Sequence, residues 1–264
     1  MNTLHHYDPD NPYPDSDGLP IAENTQQYEW LVKIKENLEI LFAERDDVFI
    51  AGDLFWYPIP DRQQTYPVAP DVMVVIGRPK GKRGSYRQWE ENNIAPQVVF
   101  EILSPSNSSA EMAQKKIFYE QYGVQEYYVY NPERNHLEIW IRQGDHLRKV
   151  SHIRGWVSSL LGIRFKLERQ TLRIFYPSGQ QFLSSVELHK YTKTVEQQVE
   201  EERLRADAAE EYAESEWQRA EAAEQCAEKE RQEKEKALQL AASAHEYAEQ
   251  LKRKLQALGI DLNS

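Results

Sequence analysis
The sequence predicts a mixed β-sheet flanked by helices, an α/β domain, followed by one long C-terminal helix with alanine-rich heptads. Three observations carry this expectation. Helix-period and strand-period segments follow one another up to residue 186. Strand-like runs occur on both sides of a helical segment, as a mixed sheet with helical cover requires. Composition then changes near residue 187, after which Ala, Glu, Gln, Arg and Lys dominate and proline is absent. The expected organisation is an irregular arm over 1–20, a folded domain over 21–186 and a helical, coiled-coil-like tail over 187–264.

The arm is rich in Pro, Asp and Asn, which favour turns. Next, Leu31, Ile34, Leu38, Leu41 and Phe42 form one apolar stripe at helical spacing, and Asn24 or Thr25 could cap its start. "VFIAGDLFWYP" reads as a strand ended by Pro58 and Pro60, and "APDVMVVIG" as a second. A long loop leads to a third strand, "QVVFEI", whose apolar run holds Glu101. Residues 109–122 read as a helix stopped by Gly123. Three strands separated by "NPERN" and "QGD" turns follow, then strand-like pieces at "IRFKLE" and "TLRIFYPSGQQF". In the tail, alternate steps of three and four from Val199 to Leu258 meet mostly alanine, interrupted by Glu202, Glu216, Glu230 and Lys234. Alanine favours a helix but buries little area, so this seam suits a long solvated helix with intermittent self-association.

Bulk properties exclude several classes. Residues 187–264 hold 12 Lys/Arg against 19 Asp/Glu, and the first 186 hold 20 against 24. An acidic chain does not coat nucleic acid or anionic membrane unspecifically, although a local basic patch remains available. With Cys226 the only cysteine, no intramolecular disulfide and no cysteine-built zinc site can form. The N-terminal stretch has neither the basic start nor the apolar core of a secretory signal, and no apolar run approaches membrane-spanning length. The expected setting is a reducing cytoplasm without membrane contact. No glycine-rich phosphate loop and no Gly-x-Ser-x-Gly elbow is present, and the seven histidines are scattered. Carboxylate chemistry remains.

Asp71 opens the second strand and Glu101 sits inside the third. If these strands pair, one carboxylate from each could hold a divalent cation, because hard cations take oxygen ligands. Taken singly, Asp71 after a proline is also a plausible turn residue, and Glu101 could face solvent on a half-exposed sheet. The ordered set "PDV … VVFEILSPS … E-x-x-x-K-x-x-x-Y … GV-x-EYY-x-Y-x-P" resembles the Uma-two type of restriction endonuclease family, within the PD-(D/E)xK nuclease superfamily. The resemblance spans roughly residues 20 to 185 and is densest from Pro70 to Pro132.

That resemblance implies a nuclease-like fold, with Asp71 and Glu101 as metal ligands and the main-chain carbonyl of Ile102 as a third. The superfamily's lysine normally follows two residues after the acid, where this chain has Leu103. Lys115 on the next helix is the matching residue, and Glu111, Lys115 and Tyr119 share one face of it. Pairing of Glu111 with Lys115 is an equally good structural reading. Glu23 is read either as an accessory acidic ligand or as a charge favoured by the helix N-terminus.

The loop between the second and third strands concentrates Arg78, Lys80, Lys82, Arg83 and Arg87, with Tyr86 and Trp89 beside them. Cations for phosphates and aromatics for stacking suit nucleic acid, while a solvated loop is the plainer alternative. The expected function is thus a magnesium-dependent endonuclease on DNA, with manganese as a substitute. The alternative is a catalytically inactive nuclease-fold protein that binds nucleic acid or associates through its C-terminal helix, forming homo-oligomers.

Overall fold
The structure is a computed structural model that describes residues 13–15, 22, 24–61 and 65–257. Most of the predicted arm, Glu23 and Leu258 lie outside the described residues.

Helix α1, Thr25–Leu41, starts where the Asn24 side chain accepts a hydrogen bond from Gln27 N at 2.8 Å. This satisfies one of the unpaired amides of its first turn. Its stripe of Leu31, Ile34 and Leu38 is buried, each side chain contributing about 1.5–3 kcal/mol. The predicted first strand divides into β1, Val48–Gly52, and the two-residue β2, Trp56–Tyr57. The division falls at Asp53, whose φ of 49° takes the chain out of extended geometry.

Strand β3, Val72–Ile76, and strand β5, Val98–Ile102, flank a connection holding the two-residue β4, Tyr86–Arg87, and a 3-10 turn, Gln88–Glu90. Helix α2, Ser109–Gln121, follows, capped by Ser108, and Gly123 (φ 94°) turns the chain after it. Strands β6, Glu126–Asn131, β7, His136–Gln143, and β8, His146–Lys149, come next. A β9–β10 hairpin, Arg164–Leu167 with Leu172–Phe175, precedes helix α3, Ser185–Ala257.

The main sheet has six strands in the order β1-β3-β5-β6-β7-β8. It is mixed: β5 and β6 are parallel, joined by the α2 crossover, and every other pair is antiparallel. Strand alternation sends side chains into two cores. Val72, Val74, Val98, Phe100 and Ile102 pack with α1 and the β9–β10 hairpin. Met73, Val75, Val99 and Tyr127 pack with Trp56 and with Tyr119 of α2 on the other face. Burial on both faces explains why β3 and β5 read as continuous apolar runs.

The chain divides into two compact units, 1–190 and 191–264. Nearly every described residue of the second unit is exposed. No helix among the described residues is long and apolar enough to cross a membrane.

Candidate active site
Val72 faces Phe100 and Met73 faces Val99 in the antiparallel β3–β5 pair. One step further, past the start of β3, the register sets Asp71 against Glu101. The Asp71 side chain takes over where the β3 backbone stops, its Oδ2 accepting from Ile102 N at 2.6 Å. Both carboxylates are withdrawn from water, Asp71 at 7% and Glu101 at 2% exposure.

Helix α2 supplies their partners from one face. Lys115 Nζ donates to Glu101 Oε2 at 2.8 Å, and Tyr119 Oη donates to Glu101 Oε1 at 2.5 Å. Four-residue spacing stacks these side chains one turn apart, so both oxygens of one carboxylate are met by one helix. Tyr119 was visible in the sequence only through that spacing from Lys115. Glu111 bonds Asn107 Nδ2 at 3.2 Å, while the Lys115 ammonium is drawn to Glu101, so the predicted Glu111–Lys115 pair gives way to a deeper one.

Burial, then the charge of Glu101, pushes the Asp71 carboxyl up to about 7, against the pull of Lys115 and Ile102 N. Burial alone would lower Lys115, but Glu101 and Asp71 outweigh it and hold the ammonium above its usual value. Tyr119 is held well above the usual phenol range by burial and by Glu101, and so donates as a neutral hydroxyl. Tyr127 is likewise raised, and its buried hydroxyl has no hydrogen-bond partner among the described residues.

The Ile102 carbonyl accepts from Gln27 Nε2 at 3.0 Å, so α1 reaches the same strand end. Gln27 is a site neighbour that the sequence reading missed. Its signal was there, because it lies four residues before Leu31 and continues the buried stripe with a polar side chain.

Two buried carboxylates against one ammonium leave an excess of negative charge, and their repulsion is part of what raises Asp71. A divalent cation relieves such repulsion, so the donor set of Asp71, Glu101 and the Ile102 carbonyl fits a hard ion. Among the described residues no three His, Cys, Asp or Glu side chains come together as a fuller cage.

The basic loop requires correction. It joins β3 to β5 at the strand ends opposite Asp71 and Ile102, because an antiparallel connection spans the end away from the entering residue. Its charges are largely used within the fold. Arg78 and Arg83 both bind Glu91, at 2.7 and 2.6 Å. Lys80 Nζ donates to the carbonyls of Phe42 and Ala43, just beyond the C-terminal end of α1. That point lies about 22 Å along the helix axis from Gln27, at 1.5 Å per residue. Tyr86 is a core residue whose ring stacks on Phe49 and whose hydroxyl donates to Ile94 O, so it cannot stack on a base. Arg87 pairs with Glu90 and covers the Tyr13 ring, and Lys82 is exposed.

A mixed sheet with two carboxylates and a helix-borne lysine at the mouth of one strand pair defines a nuclease-like α/β domain. Residues 16–174 match the Uma2 family, described as putative restriction endonuclease, and the chain belongs to that family. The crystal structure of a putative nuclease belonging to DUF820 from Anabaena variabilis ATCC 29413 is similar with a TM-score of 0.39. It is 14% identical, and the likeness covers 51% of this chain and 72% of that one. No curated protein matches the chain.

Proposed function
We propose that this protein is a divalent-metal-dependent endonuclease that hydrolyses phosphodiester bonds of DNA. The observation that carries the reading is the Lys115–Glu101 contact with Asp71 opposite, reached from three separate elements. Asp71, Glu101 and the Ile102 carbonyl would hold a magnesium or manganese ion. Such an ion supplies Lewis-acid charge for the phosphoryl group and lowers the pKa of bound water.

The chain's own groups do the rest. Lys115, fixed on one Glu101 oxygen, presents its remaining N–H donors to the attacking water and to a non-bridging phosphate oxygen. Tyr119 holds the other Glu101 oxygen and so sets the carboxylate plane. Asp71 would be held as its carboxylate beside a bound cation, whose charge would offset the burial and the Glu101 charge that raise its pKa. Lys82 and Arg87 remain candidates for contact with the DNA backbone away from the cleaved bond.

The experiment is plasmid nicking in magnesium or manganese, with EDTA as the stop. Asp71→Ala, Glu101→Ala and Lys115→Ala should each abolish nicking while keeping wild-type circular dichroism. Nicking that survives in all three removes the assignment. The second reading, a non-catalytic nuclease-fold protein associating through α3, is favoured by the exposed 73-residue helix. It predicts no metal-dependent nicking, together with a hydrodynamic size that falls by more than the deleted mass when 191–264 is removed. The same reading of α3 places any homo-oligomer contact on its alanine seam.

A further inference from the structure
About a quarter turn round α2 from the Lys115–Glu101 contact, at Lys116, lies a groove of about 660 Å³. Its walls are the β5–α2 connection and first turns of α2 on one side, and β6 and β7 on the other. Consecutive lysines serve the two places: Lys115 binds Glu101, and Lys116 lines the groove with its ammonium 4.7 Å above the Trp140 ring. Leu103, two residues beyond Glu101, and Val129, its register partner on β6, also line it. The groove therefore adjoins the carboxylate centre through shared strands.

We propose that this groove takes one nucleobase of a single-stranded stretch of substrate, turned out of the stack next to the bond being cut. The inference rests on the nuclease reading above for its biological meaning, but the groove's chemistry stands separately.

Three features favour a base over the other parts of a nucleic acid. The volume falls within the range of small-molecule sites, about 300–1,000 Å³. The formal charges of the lining balance, with Lys116 and Arg134 against Glu133 and Glu138, so the groove has no cationic excess for phosphate. The polar groups suit a base edge, which offers both donors and acceptors. Glu138 is an acceptor for exocyclic amino groups. Burial alone would raise it, but Lys149, at 2.5 Å, holds it below the usual carboxylate range.

The strongest feature is Tyr127. It lines the groove, is 1% exposed and carries a hydroxyl without a hydrogen-bond partner among the described residues. Its ring lies 5.0 Å from that of Tyr119, which holds Glu101, so it links the carboxylate centre to the groove. A buried donor left unpaired is costly unless something arrives to accept from it. An acceptor on a base edge would do so after a small side-chain adjustment.

The test uses the full chain in EDTA, so that cleavage cannot interfere. Fluorescence anisotropy would follow a labelled single-stranded DNA of about 12 nucleotides, a length within the usual span of single-strand sites. The same strand with a central abasic site and the corresponding duplex are the comparisons. The intact single strand should bind about tenfold tighter than either, the size of one base contact. Ala113→Trp, at an exposed position on the groove wall, should erase that preference, and Gln114→Trp, exposed one residue further on, should keep it.

Tyr127→Phe should weaken base binding several-fold while raising the melting temperature of the free protein, a pairing that a purely structural tyrosine would not give. An Ala113→Trp protein that keeps the preference overturns the proposal. So does a wild type that binds abasic and intact strands alike. Absence of metal-dependent nicking would sink the nuclease reading and leave this binding result to be judged alone. Intact nicking with an inert groove would sink only the groove.

Discussion

The Lys115 ammonium meets Glu101 Oε2 at 2.8 Å, across a crossover in which the acid is the penultimate residue of β5 and the lysine sits in the second turn of α2. In effect the helix delivers a cation to the acid that its own strand does not, since Leu103 occupies the near position. We expect Lys115→Ala to lower the nicking rate about 100-fold or more, the usual loss for a transition-state charge contact. Lys116→Ala, whose side chain lies toward Trp140 and Glu120 and lines the groove, should weaken substrate binding but keep the rate at saturating substrate within about threefold, since it lies outside the carboxylate centre. Equal losses in both would mean that the helix contributes only bulk positive charge.

Asp71 makes stability depend on pH in an unusual direction. Its folded pKa is about 7 against an ordinary 3.8, so the folded state prefers the protonated acid. The stabilisation is complete below the unfolded value and is lost as pH rises through the folded one. Integrated over that window, the loss is about 4 kcal/mol at 1.36 kcal/mol per unit. Asp71→Asn removes the ionisation and can still accept from Ile102 N. It should therefore be more stable than wild type at pH 8, with the difference vanishing near pH 4, as urea unfolding at both pH values would show. Magnesium at pH 8 should stabilise the wild type and leave the variant unchanged.

The strand pairing behind this centre was legible because β3 and β5 are short, apolar and β-branched, and their buried acids stand out against that background. The break at Asp53 was not legible, since a positive φ on an aspartate is a local choice that a run of apolar residues conceals. The basic loop misled for a different reason. Clustering in sequence says nothing about where a charge ends, and Glu91 draws Arg78 and Arg83 together from thirteen and eight residues away. Tyr86 looked like a stacking residue because its burial depends on Phe49, far off in the chain.

Gln27 gives a prediction about the main chain. Its amide is the donor to the Ile102 carbonyl, so Gln27→Leu would leave that buried oxygen unpaired on this side. The cost should be about 1–3 kcal/mol, read as a lower urea midpoint with an unchanged slope. Gln27→Glu should behave differently: a carboxylate cannot donate, and it adds negative charge beside Asp71 and Glu101. We expect it to be less stable than wild type in EDTA, and to regain more of that loss on adding manganese than Gln27→Leu does. Identical manganese responses in the two variants would show that position 27 does not sense the site's charge.

The folded unit ends just past the start of α3. The start of α3 is tied down within the first unit by a reciprocal cap, with Ser184 N donating to Glu187 Oε2 at 2.7 Å and Glu187 N to Ser184 Oγ at 3.2 Å. Lys33 adds an ion pair to the same Glu187 at 3.0 Å. Just upstream, the buried Asn37 accepts from Leu183 N and Tyr176 Oη and donates to Leu183 O. A chain ending at Lys190 keeps all of these, and its thermal transition should match that of the full protein within about 2 °C. A chain ending at Phe182 removes the Leu183 partners and leaves Asn37 partly unpaired in the core. That should cost about 1–3 kcal/mol for each unsatisfied group, and so lower the transition by several degrees. Circular dichroism melts of the two truncations decide the matter. If the 190-residue chain melts as early as the shorter one, the cap and the Asn37 clamp are not what close the domain.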